Sequence, residues 1–102
     1  MDEITVKEAQ SIIENFVKER NWQTSESDTV LHLIEELGEI ARNVLKMKNY
    51  GGQHTKDSEI NMDEELGDIF YLVLKLSNQT NIDLGEAFLK KVEKIRNKYP
   101  IK

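Results

Sequence analysis

The feature that most constrains this chain is the segment 61–79, in which apolar residues recur at helical spacing. These residues form a broad face that is expected to pack against a core: Met62, Leu66, Ile69, Phe70, Val73 and Leu76. On a helical wheel of about 100° per residue, Glu65 falls inside that face and Asp68 lies at its edge. Burial disfavours an ionised carboxylate, and the turns on either side of Glu65 carry no basic residue. The segment therefore predicts a compensating charge from elsewhere, and a metal ion is one candidate.

Three other segments, 6–20, 26–48 and 84–98, have the same helical periodicity. Each begins with two residues that can cap a helix N-terminus: Thr5 with Glu8, Ser25 with Asp28, and Asp83 with Glu86. The second helix is expected to bury one stripe, formed by Val30, Leu33, Ile34, Leu37, Ala41, Val44 and Leu45. Residues 49–60 lose the periodicity and are predicted to form a flexible connection. The sequence therefore predicts one all-α domain over residues 1–102, an antiparallel four-helix bundle whose wide stripes favour a homodimer or homotetramer.

Composition excludes several classes of protein. The net charge of −5 argues against a protein that binds nucleic-acid backbones, because such proteins are normally basic. The absence of Cys excludes disulfides and thiolate metal sites. The acidic N-terminal segment does not resemble a secretory signal, and no stretch approaches the roughly 20 apolar residues of a membrane span. We therefore expect a small, soluble, cytoplasmic protein that binds neither nucleic-acid polymers nor membranes.

A short acidic phrase occurs in both the second and the third helix, as EELGE at 35–39 and EELGD at 64–68. Within each phrase, two carboxylates stand on neighbouring turns of the helix: Glu36 with Glu39, and Glu65 with Asp68. Each phrase also places a Gly in mid-helix, which costs roughly 1 kcal/mol relative to Ala. That cost is expected if the helices approach closely at Gly38 and Gly67, which would bring the four carboxylates together. Considered alone, the acids of the second helix are typical of a solvated face, and His32 of a surface histidine.

Four carboxylates in a low dielectric repel one another and stay ionised together only around a multivalent cation. A ligand set of oxygens, without His or Cys, points to Mg²⁺ or Mn²⁺ rather than Zn²⁺, and the missing His disfavours a di-iron site. Mg²⁺ usually completes its coordination with waters and substrate phosphates, so the pattern indicates hydrolysis of a nucleoside polyphosphate. Lys91 and Lys94 are candidate phosphate contacts. Trp22 either stacks on a base or closes the end of the core.

With these motifs the chain resembles the MazG-like, all-α nucleoside triphosphate pyrophosphohydrolases. That family carries E-E-x-x-E followed by E-x-x-D, which here are Glu35-Glu36-x-x-Glu39 and Glu65-x-x-Asp68. The resemblance covers nearly the whole chain, including the segments 20–22, 81–84 and 98–100. It implies that water attacks the α-phosphorus of a nucleoside triphosphate, which yields the monophosphate and pyrophosphate. It also implies a set of Mg²⁺ ligands: Glu36, Glu39, Glu65 and Asp68.

The resemblance also suggests roles for other residues. Glu35 and Glu36 are expected to act in catalysis, and Glu35 either supports the site or positions the attacking water. Three residues resemble family residues that contact the substrate or lie close to it: Trp22 near the base, Asn78 beside the site and Lys91 at the phosphates. The chain departs from some relatives at Ile95, where they carry Asn. It also lacks the second repeat of the two-domain members.

Two alternatives remain open at this point. One is a phosphoribosyl-ATP pyrophosphohydrolase, which belongs to a related group with a similar fold and chemistry. The other is a helical interaction module without catalytic activity, whose acidic faces only keep it soluble. A metal-dependent increase in melting temperature separates the enzymes from the module, because a ligand that binds only the folded state stabilises it.

Overall fold

The computed structural model describes residues 3–48 and 61–101, and in these residues the chain forms four α-helices. They are α1 (Val6–Glu19), α2 (Glu26–Met47), α3 (Met62–Gln79) and α4 (Leu84–Lys98). No strand occurs in the described ranges, so the all-α, four-helix prediction is confirmed. The predicted connection 49–60 lies outside the described residues. Among the four helices, none combines the length and the apolar composition that crossing a membrane requires.

The helices begin where local capping signals predict. At α1, the Glu8 backbone N–H donates to Thr5 Oγ1 over 3.0 Å, and the Thr5 N–H donates to Glu8 Oε1 over 2.8 Å. Ser25 and Asp28 form the same reciprocal capping box at α2. Such side chains satisfy backbone N–H groups that have no partner within the helix. The start of each of these helices is therefore fixed by residues a few positions apart.

Helices α1 and α3 end in the same way, with an asparagine in the left-handed region. Asn21 has φ 52° and Asn81 has φ 57°. After α1, the N–H groups of Asn21 and Trp22 donate to the carbonyls of Lys18 and Val17, which is the Schellman pattern. This turn places Trp22 against Phe16, with ring centroids 5.5 Å apart in an edge-on arrangement.

The chain divides into two compact units. Unit 1 comprises residues 1–23 and 74–102, and unit 2 comprises residues 24–73. Unit 1 contains α1, all of α4 and the last turns of α3. Within it, α1 packs against α4. Unit 2 contains α2 and the larger part of α3. A single domain over the whole chain stays a prediction.

A buried polar network centred on Gln10 connects the elements of unit 1. The Gln10 side-chain amide donates to Ser77 Oγ over 2.8 Å and to the Ile82 carbonyl over 2.8 Å. Its carbonyl oxygen accepts from the Leu84 N–H at 3.2 Å, where α4 begins. Asn78 donates in return to the Gln10 backbone carbonyl over 2.9 Å. One side chain of α1 therefore positions the turn between α3 and α4.

We predict that Gln10→Leu lowers the free energy of unfolding by about 3 kcal/mol, because the change leaves several buried donors and acceptors without partners. The matched control is Gln23→Leu, the same change at an exposed position of unit 1. Urea denaturation monitored by circular dichroism measures both variants. Equal stability of the two variants would contradict a structural role for the network.

Most of the apolar stripe predicted to be buried on α2 is exposed in the single chain, so that prediction is wrong. Ile34 is 58% exposed and Leu37 is 49% exposed. On α3, Leu66 and Phe70 are also exposed, whereas Leu72 is only 1% exposed. The less exposed positions of α2 lie instead on the flank that carries Glu36, the acid that meets Glu65 and Asp68 of α3: Thr29, Leu33, Glu36 and Ile40.

Candidate active site

Three carboxylates of unit 2 converge between α2 and α3. Glu36 of α2 and Glu65 and Asp68 of α3 each offer one oxygen, and these three oxygens lie within 4.8 Å of one another. All three residues are half-buried. Glu65 and Asp68 share a flank because three residues separate neighbouring turns of a helix. The structure therefore brings together three of the four predicted metal ligands.

Glu65 is the most constrained member of the cluster. Its Oε2 is enclosed and has no hydrogen-bond partner in the part of the chain that the structure describes. Burial raises the pKa of Glu65, and so do the charge of Glu39, the charge of Glu36, a hydrogen bond with Glu36 and the charge of Asp68. Burial and like charges both disfavour the ionised form, so Glu65 is the carboxylate of the cluster that most needs a compensating positive charge.

The donor set fits a hard divalent cation. Oε2 of Glu65, which has no hydrogen-bond partner in the described part of the chain, is an available acceptor on a member of the cluster. Carboxylate oxygens without nitrogen or sulfur ligands suit Mg²⁺, Mn²⁺ or Ca²⁺ better than Zn²⁺. A cation would offset both the burial and the like-charge repulsion that raise the pKa of Glu65.

Along α2, an open cleft of about 420 Å³ lies over the acidic phrase. It is lined by Ile34, Glu35, Glu36, Gly38, Glu39 and Arg42. Glu35 and Glu39 are exposed, and Glu39 acts on Glu65 through its charge. Arg42 was missed by sequence reasoning, although its spacing of three residues from Glu39 places it on the same flank. An acidic cleft with one guanidinium at its edge can hold a cation together with a phosphate chain.

His32 contacts the same cluster from one turn earlier on α2. Its Nε2 lies 3.5 Å from Glu36 Oε2, and its side chain is 51% exposed. The prediction of a surface histidine is confirmed in terms of exposure. The imidazole can support the orientation of Glu36 when it is protonated.

The two helix glycines do not mark a close approach of helices, so that prediction is wrong. A Cβ built at Gly38 or at Gly67 meets nothing within 4 Å. The carboxylates converge through their own side-chain length instead, because Glu and Asp reach well beyond a Cβ.

We predict that Gly38→Ala and Gly67→Ala each raise the free energy of unfolding by up to about 1 kcal/mol, since alanine is the better helix former and the added methyl meets open space. Thermal melting of the two variants and of Gly85→Ala makes the comparison. Gly85 is the control, because its added Cβ would lie 3.4 Å from Asp83 Oδ1 and 3.8 Å from Val6 Cβ. A lower melting temperature for Gly38→Ala would show that the space is filled.

Comparison with known proteins identifies the family of this chain. Residues 23–101 match the profile of the MazG nucleotide pyrophosphohydrolase domain. The chain belongs to the MazG nucleotide pyrophosphohydrolase family. It is thus a hydrolase that acts on pyrophosphate bonds. The family resemblance inferred from the acidic motifs is confirmed.

Two solved structures are similar to this MazG-family chain. One is YPJD from Bacillus subtilis, described as a candidate pyrophosphatase, with 27% identity, a TM-score of 0.72, and coverage of 99% of this chain and 100% of that one. The other is the Bacillus-conserved MazG protein, a nucleotide pyrophosphohydrolase, with 28% identity, a TM-score of 0.72, and coverage of 93% of each chain. No curated protein sequence matches the chain.

The predicted substrate contacts of this MazG-family chain belong to unit 1: Trp22, Asn78, Lys91 and Lys94. Trp22 is 45% exposed, and Lys91 and Lys94 are exposed on α4. Asn78 is bonded to Gln10 through both atoms of its side-chain amide, at 2.9 and 3.3 Å. Asn78 therefore serves the packing of α1, and its role toward substrate stays a prediction.

Proposed function

We propose that the protein hydrolyses nucleoside triphosphates to the monophosphate and pyrophosphate in a Mg²⁺-dependent reaction, for which Mn²⁺ can substitute. The observation that carries the proposal is the convergence of Glu36, Glu65 and Asp68, of which Glu65 also has an enclosed oxygen without a partner among the described residues. Membership of the MazG family supports the same chemistry. In the balanced reaction, the bond between the α- and β-phosphates breaks, the oxygen of water joins the α-phosphorus, and pyrophosphate leaves.

The residues that would hold the cation are Glu36, Glu39, Glu65 and Asp68. Three of them already present oxygens to one another, and the fourth lines the cleft. Mg²⁺, when bound, would neutralise charge on the phosphates and make the attacking water more acidic.

The chain's own groups supply the remaining functions. Glu36 accepts the proton of the attacking water, and the exposed Glu35 beside it in the cleft helps to position that water. Arg42 donates to a phosphate oxygen, since a guanidinium binds phosphates with several donors at once. Lys91 and Lys94 add positive charge for the phosphates, Trp22 offers its ring to the base, and Asn78 contributes a polar side chain close to the substrate.

Release of pyrophosphate from a panel of canonical, deoxy and modified nucleoside triphosphates tests the proposal. We expect turnover with Mg²⁺ or Mn²⁺ and none after chelation. Phosphoribosyl-ATP is included in the panel, because turnover of that substrate alone would favour the related enzyme of histidine synthesis. A folded protein that turns over no substrate and shows no metal-dependent stabilisation would support an interaction module instead.

We also propose a homodimer or homotetramer in the cytoplasm, without a nucleic-acid partner. The exposed apolar stripe of α2, which includes Ile34, Leu37 and Leu45, supports self-association, because large exposed apolar patches mark interaction sites. The net charge of −5 argues against binding to a phosphate backbone. Sedimentation equilibrium at micromolar concentrations measures the assembly, and a monomer across that range would refute it.

A further inference from the structure

Lys75 of α3 is a buried lysine for which the site described above has no use. Only 8% of the residue is exposed. No carboxylate lies within ion-pair distance of its ammonium among the described residues, and no hydrogen bond to it occurs there. The ammonium contacts Trp22, whose ring centroid lies 5.8 Å from Lys75 Nζ. Both residues belong to unit 1.

A buried ammonium is normally paired, because removing it from water is costly. Lys75 Nζ is not among the fully enclosed polar atoms that lack a partner. The aliphatic stem is therefore buried while the ammonium stays within reach of solvent. Contact with an aromatic face partly compensates its charge. Because none of the described residues accepts from its three N–H donors, the ammonium can donate to a ligand that serves as the acceptor.

Trp22 is held so that part of its ring stays open. The Schellman turn after α1 places it, and its contact with Phe16 is edge-on. The nearby cation Arg20 is already engaged, since its guanidinium lies 3.5 Å from the Phe16 ring centroid and donates to the Phe16 carbonyl. With 45% of Trp22 exposed, the pair offers a planar apolar surface beside one ammonium donor.

We infer that Lys75 and Trp22 form a subsite for the nucleobase, in which the Lys75 ammonium donates a hydrogen bond to a ring carbonyl oxygen. The inference rests on the proposed function, because it names the class of base that the enzyme prefers. Because the ammonium contacts an aromatic ring, it is placed to meet the edge of a flat ligand that packs against that ring. A phosphate is the competing acceptor, and the pyrophosphate titration below tests it. Guanine, hypoxanthine, uracil and thymine carry such an oxygen, whereas adenine presents an amino donor at that edge.

The test compares inosine monophosphate with adenosine monophosphate, which carry the same phosphate and sugar and differ in the oxygen or amino group on the base. Trp22 is the one tryptophan in the chain, so its fluorescence reports binding directly, without added metal. We expect wild type to bind inosine monophosphate about tenfold or more tightly, since hydrogen bonds to charged groups are the strong ones. Lys75→Met should remove that difference, and Lys75→Arg should keep much of it.

The matched control is Lys7→Met, the same change at an exposed position of α1 in unit 1, which should retain the full difference. Inorganic pyrophosphate is titrated in parallel. Two results would overturn the inference. One is equal affinity of wild type for the two monophosphates. The other is an equal loss of affinity for both monophosphates and for pyrophosphate in Lys75→Met. The second result would place the ammonium at the phosphates.

This experiment separates the inference from the proposed function. Pyrophosphate release from ITP and ATP is measured in the same variants as kcat/KM. If wild type turns over both substrates and the ratio of kcat/KM for ITP to that for ATP is unchanged in Lys75→Met, the subsite is refuted and the proposed function is retained. Selective binding of inosine monophosphate without turnover of any triphosphate would refute the function and support the subsite. Met has a similar length to Lys without its charge, and circular dichroism verifies the fold of each variant.

Discussion

We expect Glu65→Gln and Asp68→Asn each to reduce pyrophosphate release at least about a hundredfold, because loss of even the outer partners of a metal site costs about 10- to 100-fold. Both changes keep the side-chain shape and remove one ligand charge from a cluster whose oxygens lie within 4.8 Å of one another. The metal-free fold should be retained or become more stable, since each substitution removes like-charge repulsion at a half-buried position. Pyrophosphate release at saturating Mg²⁺ measures the effect.

Glu64→Gln is the matched control for this prediction. Glu64 directly precedes Glu65, is exposed, and accepts a hydrogen bond of 3.2 Å from the Asn61 side chain. Glutamine retains that acceptor while removing the same unit of charge, so this variant should keep wild-type turnover. Full activity in Glu65→Gln, or an equal loss in Glu64→Gln, would show that the cluster is not the catalytic centre.

Helix positions were predictable from the sequence because the signals that set them are local. Thr5 and Glu8 cap α1 through hydrogen bonds between residues three apart, and the same holds for Ser25 and Asp28. The burial of a carboxylate was also predictable. Glu65 shares a helix face with Leu72, the most buried residue of α3, and one of its oxygens is enclosed.

The choice of buried face was not predictable in the same way. Leu66 and Phe70 satisfy the helical period as well as Leu72 does, yet they are exposed in the single chain. Periodicity identifies a stripe, but contacts between distant elements decide which side of the stripe is covered. The glycines of the acidic phrases illustrate the same limit, since open space at Gly38 has no signature in the sequence.

Contacts between distant residues explain what sequence reasoning missed. Gln10 and Ser77 are 67 positions apart, and neither belongs to a recognisable motif. Lys75 fits the polar positions of an amphipathic helix, so its burial becomes visible only in the folded chain. The spacing of the residues is the one signal in the sequence. Lys75 follows Asp68 by seven residues, and a separation of seven residues, about two helical turns, places both on the same face of α3.

Mg²⁺ and protons should stabilise the folded protein as alternatives, because each relieves the repulsion around Glu65. At pH 7, Mg²⁺ at a hundredfold excess over its Kd stabilises the fold by about 2.7 kcal/mol, which corresponds to a rise in Tm on the order of 10 °C for a domain of this size. Thermal melting with Mg²⁺ and with EDTA measures this increase. Glu65→Gln should lose most of it, whereas Glu64→Gln should retain it.

Without metal, the pH dependence has a definite sign. The pKa of Glu65 is raised in the folded state, so the folded state binds its proton more tightly than the unfolded state does. This group's contribution to stability is complete below its unfolded pKa and is lost as pH rises through its folded pKa. Relative to Glu65→Gln, metal-free wild type should therefore become more stable as pH falls from 7 toward the ordinary range of a carboxyl. Saturating Mg²⁺ should reverse this trend, because the cation and the proton compete for the same oxygens. A constant difference in stability between wild type and Glu65→Gln across that pH range would show that Glu65 is not the site of the repulsion that the cation is proposed to relieve.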